Sequence, residues 1–265
     1  LGQPFVIDNR PGAIGTLAMN AVSSMAADGY TLLLGTNPQI RPGVTAGSDP
    51  YRAFEPIALT NVIPVVLLAH PMLPAANLGE LIDRARAAGP GARLTFSTPG
   101  RGSPMELAME TLKARAGIDL LHVPYNGGPA AVNDAMSGQV QMVAVGLPTA
   151  LGQVRAGKLK PLVVLQESRT DLLPGTPTAR EAAGIEGIDF LVWLGLFAPA
   201  KIAQPIARRL EAETAKALAD RDVRAKLSGA ALDVRFAAGD KLGELVRAQL
   251  RASLEAMQRF GIATE

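Results

Sequence analysis

Residues 97–106 read Ser-Thr-Pro-Gly-Arg-Gly-Ser-Pro-Met-Glu, and this is the most informative segment of the sequence. An apolar run at 93–97 leads into it and predicts a strand, while the pattern over 104–116 predicts a helix. Ser103 suits the N-cap of that helix, a proline occupies the first helical position, and Glu106 three residues on completes a capping box. The segment therefore predicts a strand, a short loop and a well-formed helix start.

Two glycines in this loop, Gly100 and Gly102, stand before the cap and are not needed for it. Glycines at such positions let a ligand approach the backbone N–H groups at the positive end of a helix, where anions bind readily. These residues alone leave two interpretations open, an ordinary helix start and an anion-binding loop.

Two further segments have the same order of strand, glycine-containing loop and helix. Residues 123–129 read Val-Pro-Tyr-Asn-Gly-Gly-Pro, and residues 9–16 read Asn-Arg-Pro-Gly-Ala-Ile-Gly-Thr. The first of these is compatible with a plain left-handed turn, but Tyr125 and Asn126 could instead offer hydrogen bonds from the rim of a cleft. Three loops of one kind, each after a strand, favour a cleft at the carboxyl ends of the strands.

Short apolar runs alternate with helical patterns along the chain, which predicts an α/β fold with a parallel sheet flanked by helices. The predicted strands lie at 5–8, 31–34, 62–69, 93–97, 118–123, 140–145 and 162–165, with an extended stretch at 190–198. The predicted helices lie at 14–25, 78–88, 104–116, 129–137 and 147–155, and the last third of the chain reads as helical. The region from 36 to 56 is too irregular for either period.

Composition narrows the class of protein. The chain has 265 residues, more than one core usually holds, so two lobes are expected, and with only 4% aromatic residues their cores should be aliphatic. The formal net charge is +2 and no Lys/Arg cluster with interleaved aromatics occurs, so no nucleic-acid partner is expected. There is no cysteine, and no apolar run approaches the roughly 18 residues of a membrane span. The chain is therefore not expected to cross a membrane.

Signals for catalysis are weak. His70 and His122 are the only histidines, and each lies at a strand end near a proline, where a lone histidine is usually structural. No Gly-x-Ser-x-Gly elbow and no His-Glu-x-x-His motif occurs. We therefore expect no catalytic residue, no metal site and no cofactor.

Five short motifs occur in an order that resembles a known family: Asp8–Gly12, Asp28–Leu32, Gly100–Pro104, His122–Tyr125 and Gly138–Val140. Any one of them is unspecific. The ordered set is specific, and it resembles the Bug/TctC family, the solute-binding proteins of tripartite tricarboxylate transporters.

The resemblance implies a two-lobed type II periplasmic-binding-protein-like α/β fold with a ligand cleft between the lobes. The first lobe would hold residues 1–70 and the mostly helical return segment 195–265, and the second lobe residues 71–194. Two strands, near Ala69–Met72 and Leu194–Phe197, would cross between them.

The resemblance also implies a ligand and the residues that hold it. Family members bind small carboxylates such as dicarboxylates, tricarboxylates, acidic amino acids or aromatic acids. The grip of the second lobe on a carboxylate would map to Thr98, Gly100, Gly102 and Ser103. The same lobe would add Tyr125, Asn126, Gly127, Gly128 and Gly146, and the opposite rim would add Thr36 and Asn37.

Two features differ from the usual family pattern. Family members usually begin with a strand, a Pro-Gly-Gly loop and a helix before the equivalent of Leu1, and we expect that unit to be missing from this chain. Gly146 stands where relatives often carry a polar residue.

The sequence thus predicts a periplasmic solute-binding protein, not an enzyme, that delivers its ligand to membrane permease subunits. No signal-peptide pattern is present, as would be the case for a mature secreted protein. Two other classes stay open. An effector-sensing domain of a regulator would have carried a DNA-binding helix-turn-helix, which the sequence lacks, and an enzyme built on this fold would need convergent titratable groups.

Overall fold

The computed structural model describes residues 1–10, 16–37, 49, 51–88 and 93–262. Its strands are β1 (Leu33–Thr36), β2 (Phe54–Ile63), β3 (Val65–Ala69), β4 (Leu94–Thr98), β5 (Leu120–Pro124), β6 (Met142–Gly146), β7 (Lys160–Val164), β8 (Val192–Pro199) and β9 (Asp233–Ala238). Its helices are α1 (Thr16–Ser23), α2 (Leu78–Ala87), α3 (Pro104–Ala116), α4 (Gly128–Met136), α5 (Leu147–Arg155), α6 (Ala179–Ala183), α7 (Gln204–Ala219), α8 (Arg221–Gly229) and α9 (Gly239–Phe260). The predicted α/β class is confirmed.

The chain divides into two compact units, each with its own sheet. Strands β1, β8, β2 and β9 form one sheet in that order, and β5, β4, β6, β3 and β7 form the other. Unit 1 comprises the described residues of Leu1–Val62, Trp193–Gly229 and Val234–Arg251, and unit 2 those of Ile63–Val192, Ala230–Asp233 and Ala252–Glu265. The two lobes expected from the sequence, with boundaries near residues 70 and 194, remain a prediction that this division into compact units does not test.

The sheet of unit 2 is mixed, so the expectation of a parallel sheet is wrong for one strand. β4 is parallel to β5 and β6, whereas β3 is antiparallel to β6 and to β7. Hydrophobic periodicity reports that a strand is buried but not its direction, and β3 is buried along its whole length. One apolar core covers each face of this sheet, with α2, α3 and α6 on one face and α4 and α5 on the other.

The core of unit 1 contains an aromatic cluster, which corrects the expectation of aliphatic cores. Tyr51 stacks on Phe197 with ring centroids 4.3 Å apart, and Trp193 lies 6.1 Å from both rings. Phe54 completes the cluster. Four of the eleven aromatic residues of the chain meet in this cluster, which packs against Leu242 and Val246 of α9.

Two of the strands expected from the sequence differ in the structure. Residues 5–8 form no strand, and Phe5, Val6 and Ile7 are exposed, because no described backbone pairs with this segment. The single strand expected at 62–69 is two strands, since Pro64 lacks the N–H that a continuous ladder requires.

β9 interrupts the tail that was expected to be helical, and β2 begins at Phe54, inside the region that seemed too irregular for a strand. The start of the predicted helix at 14–25 and most of the loop at 9–16 lie outside the described residues. No helix in the part of the chain that the structure describes has both the length and the apolar character needed to cross a membrane.

The start of α9 gives a direct test of the packing of unit 1. A Cβ on Gly239 would lie 2.1 Å from the backbone oxygen of Pro56, whereas a Cβ on Gly243, one turn later, would make ordinary contacts at 3.4 Å. Gly239→Ala should therefore destabilise the protein by about 1–3 kcal/mol through overpacking. Gly243→Ala should stabilise it by up to about 1 kcal/mol through helix propensity.

Denaturant unfolding of both variants measures the difference. The two substitutions add the same methyl group to the same helix, so each is the control for the other. Equal free energies of unfolding for the two variants would contradict the described contact between α9 and Pro56.

Candidate functional site

Three strands of unit 2 end at the same edge of its sheet, and each is followed by a helix. β4 leads to α3, β5 to α4 and β6 to α5, and the three strands are mutually parallel. Each helix has a proline at its first or second position. The positive ends of three helix dipoles therefore lie along one sheet edge, which is a favourable place for an anion.

The three loops approach each other closely because glycines form the contacts. A Cβ on Gly100 would lie 3.4 Å from the Tyr125 backbone oxygen, and a Cβ on Gly128 would lie 3.0 Å from Thr149 Cγ2. A Cβ on Gly146 would lie 3.7 Å from Met105 Cε. The loop before α3 thus meets the loop before α4, α4 meets the first turn of α5, and the end of β6 meets the first turn of α3.

Backbone hydrogen bonds fix two of the loops against each other. The N–H of Tyr125 donates to the Thr98 oxygen at 3.1 Å, and that of Gly127 donates to the Pro99 oxygen at 2.8 Å. Among the described residues, the backbone N–H groups of Arg101, Met105 and Asn126 have no acceptor. Donors of this kind at helix starts are the groups that hold an anionic ligand.

A buried chain of side chains lies beneath the α3 loop. Glu106, with a side chain only 4% exposed, accepts from His122 Nδ1 at 2.9 Å through one oxygen. Its other oxygen accepts from the Gly102 N–H. His122 Nε2 lies 2.7 Å from Thr98 Oγ1, and Thr98 Oγ1 accepts from the Gly100 N–H at 3.3 Å. The backbone N–H groups of Gly100 and Gly102 therefore both donate to the Thr98–His122–Glu106 network.

This arrangement corrects the predicted capping box. Ser103 is the N-cap, and its hydroxyl oxygen accepts from the Glu106 N–H at 3.2 Å, as expected. The Glu106 carboxylate, however, accepts from Gly102 and not from the Ser103 N–H, which instead donates to the Gly100 oxygen. Gly102 has a φ of +69°, a left-handed conformation that glycine adopts without strain.

The hydroxyl of Tyr125 is used within unit 2. It donates to Asp134 Oδ2 at 2.6 Å, and this hydrogen bond, together with burial and the carboxylate charge, raises the pKa of Tyr125 to about 12. Because its single proton is engaged, a ligand would meet this hydroxyl as an acceptor. The expected role of Tyr125 and Asn126 on a cleft rim stays a prediction.

Thr36 and Asn37 lie in unit 1 at the end of β1, where their side chains have partners of their own. Thr36 Oγ1 donates to the Trp193 oxygen at 2.7 Å, and Asn37 Oδ1 accepts from the Trp193 N–H at 2.9 Å. Gln249 Oε1 accepts both from Asn37 Nδ2 at 2.8 Å and from the Trp193 indole at 2.6 Å. The structure thus fixes the conformation of both predicted residues, while their contact with a ligand stays a prediction.

The connectivity of Thr98, His122 and Glu106 matches that of a hydroxyl–imidazole–carboxylate triad. A nucleophile must reach its substrate, however, and Thr98 is 0% exposed. The described residues also contain no group of three or more His, Cys, Asp or Glu side chains that could hold a metal ion. In the described arrangement the network can position the loop and carry charge.

Sequence reasoning assigned the histidine and the glutamate of this network to separate, ordinary roles. The register of the parallel strands β4 and β5 places His122 beside Phe96, with ring centroids 4.9 Å apart, and so brings His122 under α3, which carries Glu106. No local sequence pattern predicts the register between two strands. Gln249 was missed for the same reason, since 212 residues separate it from Asn37.

The architecture is that of the periplasmic binding proteins, a class that captures solutes. R. palustris Rpa4515, solved with adipate, matches with a TM-score of 0.82 and 28% identity, over 99% of this chain and 88% of that one. MatC (Rpa3494) from Rhodopseudomonas palustris, solved with bound malate, matches with a TM-score of 0.74 and 31% identity, over 96% and 88% of the two chains.

The sequence identifies the family within this class. Residues 1–262 match TctC, the tripartite tricarboxylate transporter family receptor, and the chain belongs to that family. BugT of Bordetella pertussis is 33% identical over 204 residues, which are 75% of this chain and 62% of BugT. The expected Bug/TctC relationship is confirmed.

Gly102 tests whether the α3 loop is more than a helix cap. Its φ is +69°, and a β-branched side chain there is strained by about 1–3 kcal/mol. If the α3 loop holds an anionic ligand, Gly102→Val should therefore weaken its binding by at least about tenfold, because the strained loop displaces its N–H donors. Ser103→Ala should cost about 1 kcal/mol of stability and affect binding less.

Gly117 provides the matched control at the other end of α3. Its φ is +62° and a Cβ there would meet nothing within 4 Å, so Gly117→Val adds comparable strain away from the loop. Calorimetry should show an affinity loss for Gly102→Val alone. Unchanged affinity in that variant would mean that the loop only begins a helix.

Proposed function

We propose that this protein captures a small carboxylate in the periplasm and delivers it to the permease subunits of a tripartite tricarboxylate transporter. The observation that carries the proposal is the convergence of the α3, α4 and α5 helix starts on one sheet edge, where the N–H groups of Arg101, Met105 and Asn126 have no acceptor among the residues that the structure describes. Membership of the receptor family supports it, as do the adipate and malate of the two solved relatives.

In this proposal the loop from Thr98 to Ser103 holds one carboxylate through backbone donors. Gly100 and Gly102 allow close approach, and Arg101, exposed between them, adds a positive charge. The loop Tyr125–Gly128 contributes the Asn126 N–H and side chain from the adjacent strand end.

Gly146 leaves room beside Met105 and Ile63, since a Cβ there would come within 3.0 Å of Ile63 Cγ2. A ligand with an apolar part would suit that surface. Thr36 and Asn37 are proposed to contact the ligand from unit 1, with Trp193 and Gln249 holding Asn37 in place.

Binding without reaction is the role that these groups support. The donors at the sheet edge are backbone amides, which orient an anion but do not exchange protons with it. The one hydroxyl in the imidazole–carboxylate chain, on Thr98, is buried. The ligand is therefore expected to leave chemically unchanged.

A thermal-shift screen tests this function. The panel should contain malate, adipate, citrate, glutamate and benzoate, each beside its neutral amide or alcohol analogue. A carboxylate at 100 times its Kd should stabilise the protein by about 2.7 kcal/mol, and the neutral analogue should not. Calorimetry and recovery of the ligand by NMR then complete the test.

Two results would contradict the proposal. Stabilisation by none of the acids, or by acids and neutral analogues alike, would exclude a carboxylate receptor. Conversion of a bound acid at a steady rate would make the Thr98–His122–Glu106 chain catalytic and the protein an enzyme.

A further inference from the structure

The network beneath the α3 loop brings a negative charge close to a site that is proposed to bind a negative charge. Glu106 and His122 are both largely buried, with side chains 4% and 11% exposed, and they form an ion pair only when His122 is protonated. With a neutral imidazole the pair carries one negative charge, and with an imidazolium it carries none. The charge below the loop therefore depends on one proton.

Both protonation states of His122 satisfy the network. A carboxylate only accepts hydrogen bonds, so His122 Nδ1 donates to Glu106 in either state. When Nε2 is bare, the Thr98 hydroxyl donates to it at 2.7 Å. When Nε2 carries a proton it donates to Thr98, and the Thr98 hydroxyl can then donate to the Gly100 oxygen at 3.2 Å. The proton can therefore be gained without leaving a buried group unpaired.

We propose that carboxylate capture at this sheet edge is coupled to the uptake of one proton by His122. An anion above the loop repels the unprotonated pair and not the protonated one, so it binds the protonated state more tightly. Affinity should then rise as the pH falls. The inference rests on the proposed function, because it concerns the same loop and the same class of ligand.

Several charged side chains on the elements beside His122 form pairs of their own, whereas Arg101 is exposed in the α3 loop. On α3, the helix packed over this face, Glu110 and Lys113 pair with each other at 2.8 Å, and Lys113 lies 5.8 Å from the Phe96 ring centroid. β4, the strand that pairs with β5, carries no charged residue, and Arg93 and Asp119 pair at the opposite ends of these two strands. Glu106 is thus the charged partner in direct contact with the imidazole.

Calorimetry with malate and with adipate, at about pH 6 and about pH 8.5, tests whether the affinity rises as the pH falls. The wild-type affinity should be roughly tenfold higher at the lower pH, within the usual range of linked sites. Titration in buffers of different ionisation enthalpy should show net proton uptake on binding. Ratios of wild-type to variant affinity cancel the ionisation of the ligand itself.

Three variants separate charge from structure. Glu106→Gln keeps the shape but removes the negative charge beneath the loop, so its affinity should exceed that of the wild type at pH 8.5 and change less than that of the wild type between the two pH values. His122→Gln keeps the negative charge permanently, so it should bind weakly at both pH values. His70→Gln, which alters the other histidine of unit 2, should keep the wild-type pH profile.

The outcomes distinguish this inference from the function beneath it. Binding with equal pH dependence in the wild type, Glu106→Gln and His122→Gln would overturn the proton coupling and leave the carboxylate receptor standing. A loss of affinity in Glu106→Gln at both pH values would assign the pair a purely structural role and overturn the coupling as well. Absence of binding of malate, adipate, citrate, glutamate and benzoate alike in the wild type at both pH values would overturn both.

Discussion

The first turn of an α-helix has N–H groups that its own backbone cannot satisfy, and the candidate site of unit 2 depends on this constraint. Parallel strands must pass their chains to the following helices at one edge, so β4, β5 and β6 bring three such turns together. Glycines at the contacts between the loops allow the three turns to come close. The result is a surface whose polar groups are mainly backbone donors with fixed directions.

The Glu106–His122 pair adds a second constraint to this surface. A carboxylate beneath an anion site is unfavourable for the ligand, yet Glu106 holds Gly102 in a left-handed conformation and so shapes the loop. An imidazole that can take up a proton reconciles the two demands, because it supplies the compensating charge when an anion arrives. In unit 1, Trp193 and Gln249 contact Asn37 through neutral amide groups, and Gln249 also accepts from the Trp193 indole.

Local chemistry made some elements predictable from sequence. Helices α3 and α5 were predicted with the bounds that the structure shows, since capping residues and prolines mark their starts. The loops that form the sheet edge were also predicted, from glycines beside those starts. Pairing between distant strands was not predictable. The antiparallel direction of β3, the break at Pro64 and the contact of His122 with Glu106 all depend on register, which no local period encodes.

Amide chemical shifts test the central claim most directly, namely that free backbone donors at the edge of the unit 2 sheet hold a carboxylate. The measurement is a 1H–15N correlation spectrum of the labelled protein titrated with malate or adipate. The account predicts that the largest saturable shifts occur at the amides of Arg101, Met105 and Asn126, with smaller shifts on the far side of the same sheet. Saturable shifts concentrated elsewhere, with these three amides unmoved, would contradict it.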